Sequence, residues 1–197
     1  EALFALRWDG PLTWLQAKDN PYDDARTNVT SQYRFGRQMF LASGYDLLLV
    51  IESDIIPPAD TIERLAVLLE AGADAAYGHY VFRNQKNPVS NIFERYPGTP
   101  RNEGESLSIW PARYKAAMRL GRVACSGAGL GCVLFKRHVL EKFDFYHKAD
   151  DGGHCDVWFN RAVLQAGLVQ LADMTLMCGH KCTDGTVLWP KGHVNEQ

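Results

Sequence analysis

The triplet Glu52-Ser53-Asp54 places two carboxylates one residue apart, directly after the apolar run Leu47 to Ile51. In a strand, residues two apart share a face, so both acids would lie on the same side of the strand end. Open α/β sheets bind their ligands beyond the carboxyl ends of the strands. Two hard oxygen donors there suit Mg²⁺ or Mn²⁺, which take few protein ligands and leave positions for phosphate oxygens. The alternative is an acidic loop capping the helix that begins near Pro57, and the triplet alone does not decide between the two.

Other chemistry-bearing residues lie far downstream. His180 stands in "CGHKC", between Cys178 and Cys182. Structural zinc wants about four ligands. This run offers at most three in cramped spacing, with His154 and Cys155 as distant additions and no C-x-x-C pair in support. Asp156 opens the helical pattern Val157 to Ala166, where Asp is a common N-cap; a cap and a catalytic acid or base can coexist there. Asp150-Asp151-Gly152-Gly153 is a rival source of a base and reads as a hinge. "GAGLG" (Gly127, Gly129, Gly131) departs from the dinucleotide fingerprint, because its third glycine comes one residue early and a strand pattern follows. Its glycines are expected to let backbone approach a substrate. Trp158 and Trp110 are either stacking faces for a sugar or core aromatics.

The elements that must position these groups follow from periodicity. Ala2 to Arg7 and Leu12 to Gln16 read as short strands, and Asp23 or Asp24 caps a helix closed by Ser43-Gly44. Leu47 to Ile51 is a continuous apolar run, the mark of a strand buried on both faces. Asp60 to Ala71 has helical spacing and stops at Gly72; Ala75 to Phe82 is strand-like. This alternation predicts an α/β sheet with parallel pairs. Arg83 to Lys115 is polar and rich in Asn, Pro and Gly, which predicts an insertion or substrate flap. Order resumes at Arg122, and a helix ending at Gly167 then leads through a strand to His180.

Taken in order, "ESD", "SGAGLGCVLFKRHVL", "CDVWFNRAVLQAG" and "TLMCGH" resemble a GT-A fold glycosyltransferase of the family-2 type. The family pattern is a buried strand ending in D-x-D, a Gly-rich segment entering an apolar strand, an E-D pair opening a helix that ends in Gly, and a strand ending in histidine. The resemblance spans roughly three quarters of the chain. Glu52 replaces the first acid and Cys155 the glutamate of the E-D pair, and the first βα unit reads as missing or reduced. The resemblance implies one domain over residues 1–197, with a mixed, mostly parallel sheet and helices on both faces. It further implies metal-dependent transfer of a sugar from a nucleotide-sugar donor to a hydroxyl acceptor on a sugar, lipid or protein, with inversion. Asp54 and His180 would ligate Mn²⁺ or Mg²⁺, Glu52 would meet the metal's water shell or the donor ribose, and Asp156 would be the general base. Gly127, Gly129 and Trp158 would line the substrate.

Composition narrows the rivals. A chain of 197 residues, 46% hydrophobic, is long enough to bury a core. A formal charge of -2 without a basic stripe gives no sign of a nucleic-acid partner. No apolar run reaches bilayer length. Five cysteines, an odd number without framework spacing, read as reduced thiols and a cytoplasmic setting. The sequon Asn28-Val29-Thr30 falls in a helix pattern and reads as chance. Two rival functions are a nucleotidyltransferase, which would want a Gly/Arg/Lys-rich loop after its first strand, and a non-catalytic nucleotide- or carbohydrate-binding module on the same fold.

Overall fold

In chain order the elements are α1 (Ala25–Leu41), β1 (Leu47–Ile51), β2 (Ile55–Ile56), α2 (Thr61–Glu70), β3 (Ala75–His79), β4 (Ile92–Glu94), β5 (Glu105–Ser106) and α3 (Pro111–Leu120). There follow β6 (Arg122–Ala124), β7 (Gly127–Ala128), β8 (Cys132–Lys136), α4 (Arg137–Lys142), α5 (Cys155–Gln165), β9 (Gln170–Met177), β10 (Gly179–Lys181) and β11 (Val187–Leu188). This computed structural model describes residues 9–13, 15–17, 25–82, 89–94, 105–106, 111–147 and 154–190. The strand expected over Ala2 to Arg7 and the caps expected at Asp23 or Asp24 lie outside these residues. The strand expected at Leu12 to Gln16 is irregular chain at each of its described positions.

The main sheet has five strands in the order β1-β8-β3-β9-β6. The expectation of a mostly parallel sheet is corrected: among the described residues, β1 with β8, β8 with β3, and β6 with β9 are antiparallel, and only β3 with β9 is parallel. The apolar runs follow from burial, not from strand direction. β8 inserts between β1 and β3, so antiparallel β8 and β3 carry layers on both faces and need apolar residues at nearly every position.

Helices do cover both faces. Ala76, Leu134 and Leu176 face Leu65, Leu68 and Leu69 of α2. The alternate residues Ala75, Tyr77, Val133 and Phe135 face Phe40 of α1, Val139 and Leu140 of α4, and Phe159 and Val163 of α5. This is the period-2 alternation of a pleated strand between two layers.

Gly72 and Gly167, at φ 103° and 76°, end α2 and α5 in the left-handed conformation that glycine adopts without strain. The end of α1 differs from expectation. Ser43 turns its hydroxyl back onto the Phe40 carbonyl at 2.6 Å, and Arg137 donates to the carbonyls of Phe40, Leu41 and Ser43. A cation thus satisfies the orphan carbonyls of the last turn and complements the helix dipole.

The segment expected as an insertion or flap carries structure of its own. β4 pairs with β5 and β7 in a small sheet, and α3 begins at Pro111; residues 83–88, 95–104 and 107–110 lie outside the described set. A second small sheet, β11-β10-β2, joins the chain after the acid triplet to the chain around His180. Asn28 and Thr30 of the sequon are buried on α1. Among the described residues, no helix is long and apolar enough to cross a membrane.

Candidate functional site

β1 ends at Ile51, and the chain turns at once: Glu52 donates its N–H to Gly131 O, and its own carbonyl accepts from Ile55 N, both at 3.0 Å. The two acids therefore sit at a tight turn, not on a continuing strand. They are brought near each other by the turn and by β2, which the strand argument did not anticipate. β2 then pairs with β10, His180 opposite Ile55, and Lys181 N donates to Asp54 O at 2.8 Å. Those backbone bonds carry His180 to Asp54 across 126 sequence positions: Nε2 lies 3.5 Å from Asp54 Oδ2.

The His180 ring is held from its other side. Its Nδ1 lies 2.6 Å from the Val81 carbonyl. A carbonyl only accepts, so Nδ1 carries the proton and donates it, and Nε2 faces Asp54. A ring nitrogen fixed by a backbone carbonyl, with the second nitrogen turned to a carboxylate, is the arrangement that orients metal-ligating histidines. Tyr80 packs its ring edge-on to the imidazole at 5.3 Å. The carboxylate–imidazole pair suits Mn²⁺. Among the described residues no group of three or more His, Cys, Asp or Glu gathers as a metal cluster. Cys178 lies toward Gly78 and Cys132, and all five cysteines are free thiols.

Glu52 is bound differently. The Tyr33 hydroxyl of α1 donates to its Oε1 at 2.7 Å. Burial raises its pKa; Tyr33 opposes that, Asp54 and Asp156 add to it, and His180 opposes it. Glu52 is thus close enough to Asp54, Asp156 and His180 to feel their charge, although they come from three separate stretches of chain.

Asp156 is not the N-cap. His154 occupies that position, and Asp156 lies in the first turn of α5, its Oδ1 accepting from Val157 N at 2.8 Å. The helix terminus alone favours the carboxylate. Burial outweighs it and pushes the Asp156 pKa up, against the Val157 bond and His154. A raised carboxyl is the better base near neutral pH. Beside it, Cys155 is buried with its thiol pushed up to about 12, chiefly by that burial; it is a packed residue and not an acid in place of the missing glutamate.

The glycines have a use that the sequence did not reveal. A side-chain carbon on Gly127 would lie 2.5 Å from Asn160 Cβ, and one on Gly129 would lie 2.2 Å from the Tyr80 hydroxyl oxygen. Gly131 N donates to that same oxygen at 3.2 Å. The Gly-rich segment is buried, and its missing side chains admit Asn160 and Tyr80. Trp158 is already engaged by Tyr146, parallel at 6.1 Å, and by the Arg161 guanidinium 4.9 Å from its ring centre. Trp110, Asp150 and Asp151 lie outside the described residues. Tyr33, Tyr80 and the Val81 carbonyl carry no local signature.

No family model matches the chain, and no curated protein matches it at a significant level. Among solved structures it is similar to "Crystal Structure of A197 from STIV", at 18% identity and a TM-score of 0.54, over 86% of this chain and 79% of that one. At that identity the likeness concerns the fold: a mixed α/β domain with a five-stranded mixed sheet.

Proposed function

We propose that this chain is a metal-dependent glycosyltransferase of GT-A type, moving a sugar from a nucleotide-sugar donor to a hydroxyl acceptor with inversion. The observation that carries the reading is the 3.5 Å approach of His180 Nε2 to Asp54 Oδ2, with His180 Nδ1 tied to Val81. Asp54 and His180 would hold Mn²⁺ or Mg²⁺, which when bound neutralises the diphosphate of the leaving nucleotide. Glu52, steered by Tyr33, presents a carboxylate oxygen to a donor hydroxyl. Asp156 takes the proton of the acceptor hydroxyl as that oxygen attacks the anomeric carbon from the side opposite the leaving group. Its raised proton affinity favours that step.

The test is a thermal-shift and calorimetric screen of nucleoside diphosphates and nucleotide-sugars with and without Mn²⁺. A ligand of the folded state stabilises by mass action. A nucleoside diphosphate that binds only with Mn²⁺, and loses that dependence in Asp54→Asn and His180→Ala, supports the reading. Equal binding with and without the metal, or by both variants, sinks it.

A further inference from the structure

The interior behind the candidate site holds polar side chains from three different elements. Tyr77 of β3, Asn160 of α5 and Gln170 of β9 are all buried. The Tyr77 hydroxyl lies 2.8 Å from Asn160 Oδ1 and 2.6 Å from Gln170 Oε1. The amide nitrogens point the other way: Asn160 Nδ2 donates to Ala128 O at 2.7 Å, and Gln170 Nε2 to Ser126 O at 3.1 Å. The two amides thus grip the carbonyls on either side of Gly127. The absent side chain of Gly127, at φ 152°, is what lets Asn160 come this close.

A buried polar cluster of this kind contributes little net stability over an apolar one of equal volume; its use is to allow a single registry. Asn160 stands one helical turn after Asp156, on the same face of α5. The segment it grips runs in three residues to Gly131, whose carbonyl accepts from Glu52 N and where a side-chain carbon would lie 2.9 Å from Glu52 Oε2. The chain of contacts Asp156–α5–Asn160–Ala128–Gly131–Glu52 joins the two halves of the site. We propose that Asn160 is a positioning residue: its amide locks α5 to the Gly-rich segment and so sets where Asp156 stands relative to Glu52 and the Asp54–His180 pair. This rests on the functional reading above.

The test uses Asn160→Leu, which keeps the volume and removes the amide, in the full chain. Mn²⁺ affinity is measured by calorimetry. The Asp156 carboxyl is followed by ¹³C NMR on aspartate-labelled protein, assigned with Asp156→Asn. Expected are an unchanged Mn²⁺ affinity, a displaced Asp156 signal with an altered titration, and kcat lower by on the order of 10-fold at unchanged KM. Tyr77→Phe keeps the Asn160–Ala128 bond; it should lower Tm and leave the Asp156 signal and kcat as in the parent. An unchanged Asp156 signal in Asn160→Leu, or an equal change in Tyr77→Phe, overturns the proposal and makes the cluster purely structural. Should Asn160→Leu not fold, Asn160→Ala is read by the same outcomes. A parent chain without turnover on any nucleotide-sugar would sink the transferase reading, and the NMR comparison would still decide this one.

Discussion

Asp173 and Glu52 are both carboxylates drawn into the body of the protein, and their surroundings are opposite in kind. Asp173 sits where β9 leaves register with β3: Gly78 pairs with Asp173, but His79 pairs with Met177, so Met174 to Leu176 form a bulge. Arg64 of α2 forks onto it at 2.7–3.0 Å, and the N–H groups of Thr175 and Leu176 and the Thr175 hydroxyl donate to Oδ1. That is a bidentate ion pair with its lone pairs filled, tying α2 to the bulge. Glu52 has the Tyr33 hydroxyl, and its nearest charges include two further carboxylates, Asp54 and Asp156. The bulge acid is matched by cation and donors; Glu52 has further carboxylates beside it, and burial drives its pKa up. Like charges collected at a cost to the fold are what a site keeps for a ligand that will neutralise them. The two described cavities, of about 140 and 240 Å³, touch no expected site residue; the larger is lined by Arg64 and Asp173.

The largest contrast is expected from Asp156. Asp156→Asn keeps size and the bond from Val157 N, so thermal denaturation should show an intact fold, while transfer falls ~10²–10⁴-fold, the usual contribution of a placed general base. Parental turnover would move the base elsewhere and erase the functional half of the comparison. Arg64→Ala should act in the opposite sense. It leaves Asp173 buried without its cation, a loss of about 3–5 kcal/mol, read as a Tm lower by roughly 10 °C in a chain of this size. Its Mn²⁺ binding should remain parental. A Tm change of only a degree or two would mean that the bulge is held by Thr175 and the backbone alone.

Next in size is a pH dependence at the same bulge. His79 is buried, with Nδ1 on the Met174 carbonyl and Nε2 3.3 Å from the Tyr114 hydroxyl, and burial lowers its pKa to about 4. The unfolded chain, with an ordinary histidine, takes the proton first. Stability is therefore fully present above about pH 6.5 and falls as the pH drops toward 4, by at most about 3 kcal/mol. Chemical denaturation across that window should show the loss, and His79→Gln should flatten it. An equally steep loss in the variant would assign it to other groups.

The smallest effect is the most diagnostic. Glu52 has a folded pKa above its ordinary value, so its ionisation costs stability as the pH rises through that folded value. Glu52→Gln still accepts from Tyr33 and carries no charge, so it should gain about 1 kcal/mol at pH 8. The gain should vanish at a pH low enough to protonate the parent. Asp173→Asn, by contrast, should lose stability at pH 8. Were Glu52→Gln also destabilised there, the two acids would be alike and the comparison would fail.

Leu47 to Ile51, Ile62 to Leu69 and Cys132 to Phe135 were legible as β1, α2 and β8, because burial period and apolar content are local properties of a chain. Gly72 and Gly167 marked helix ends for the same reason: the conformation they permit belongs to one residue. Glu52, Asp54, Asp156 and His180 could be nominated by type and order. Strand direction could not be read, since a strand buried on both faces has the same composition whichever way its neighbours run. Nor could the true end of α1, which depends on Arg137 some hundred positions away. The tertiary structure alone decided that β2 and β10 would pair and carry His180 to Asp54, that Val81 would fix its tautomer, and that Tyr33 would hold Glu52. It also decided that Gly127 and Gly129 would make room for Asn160 and Tyr80. Each of these is a contact between distant segments, and neither partner's local sequence encodes the other; only the closure of the sheet brings them within reach.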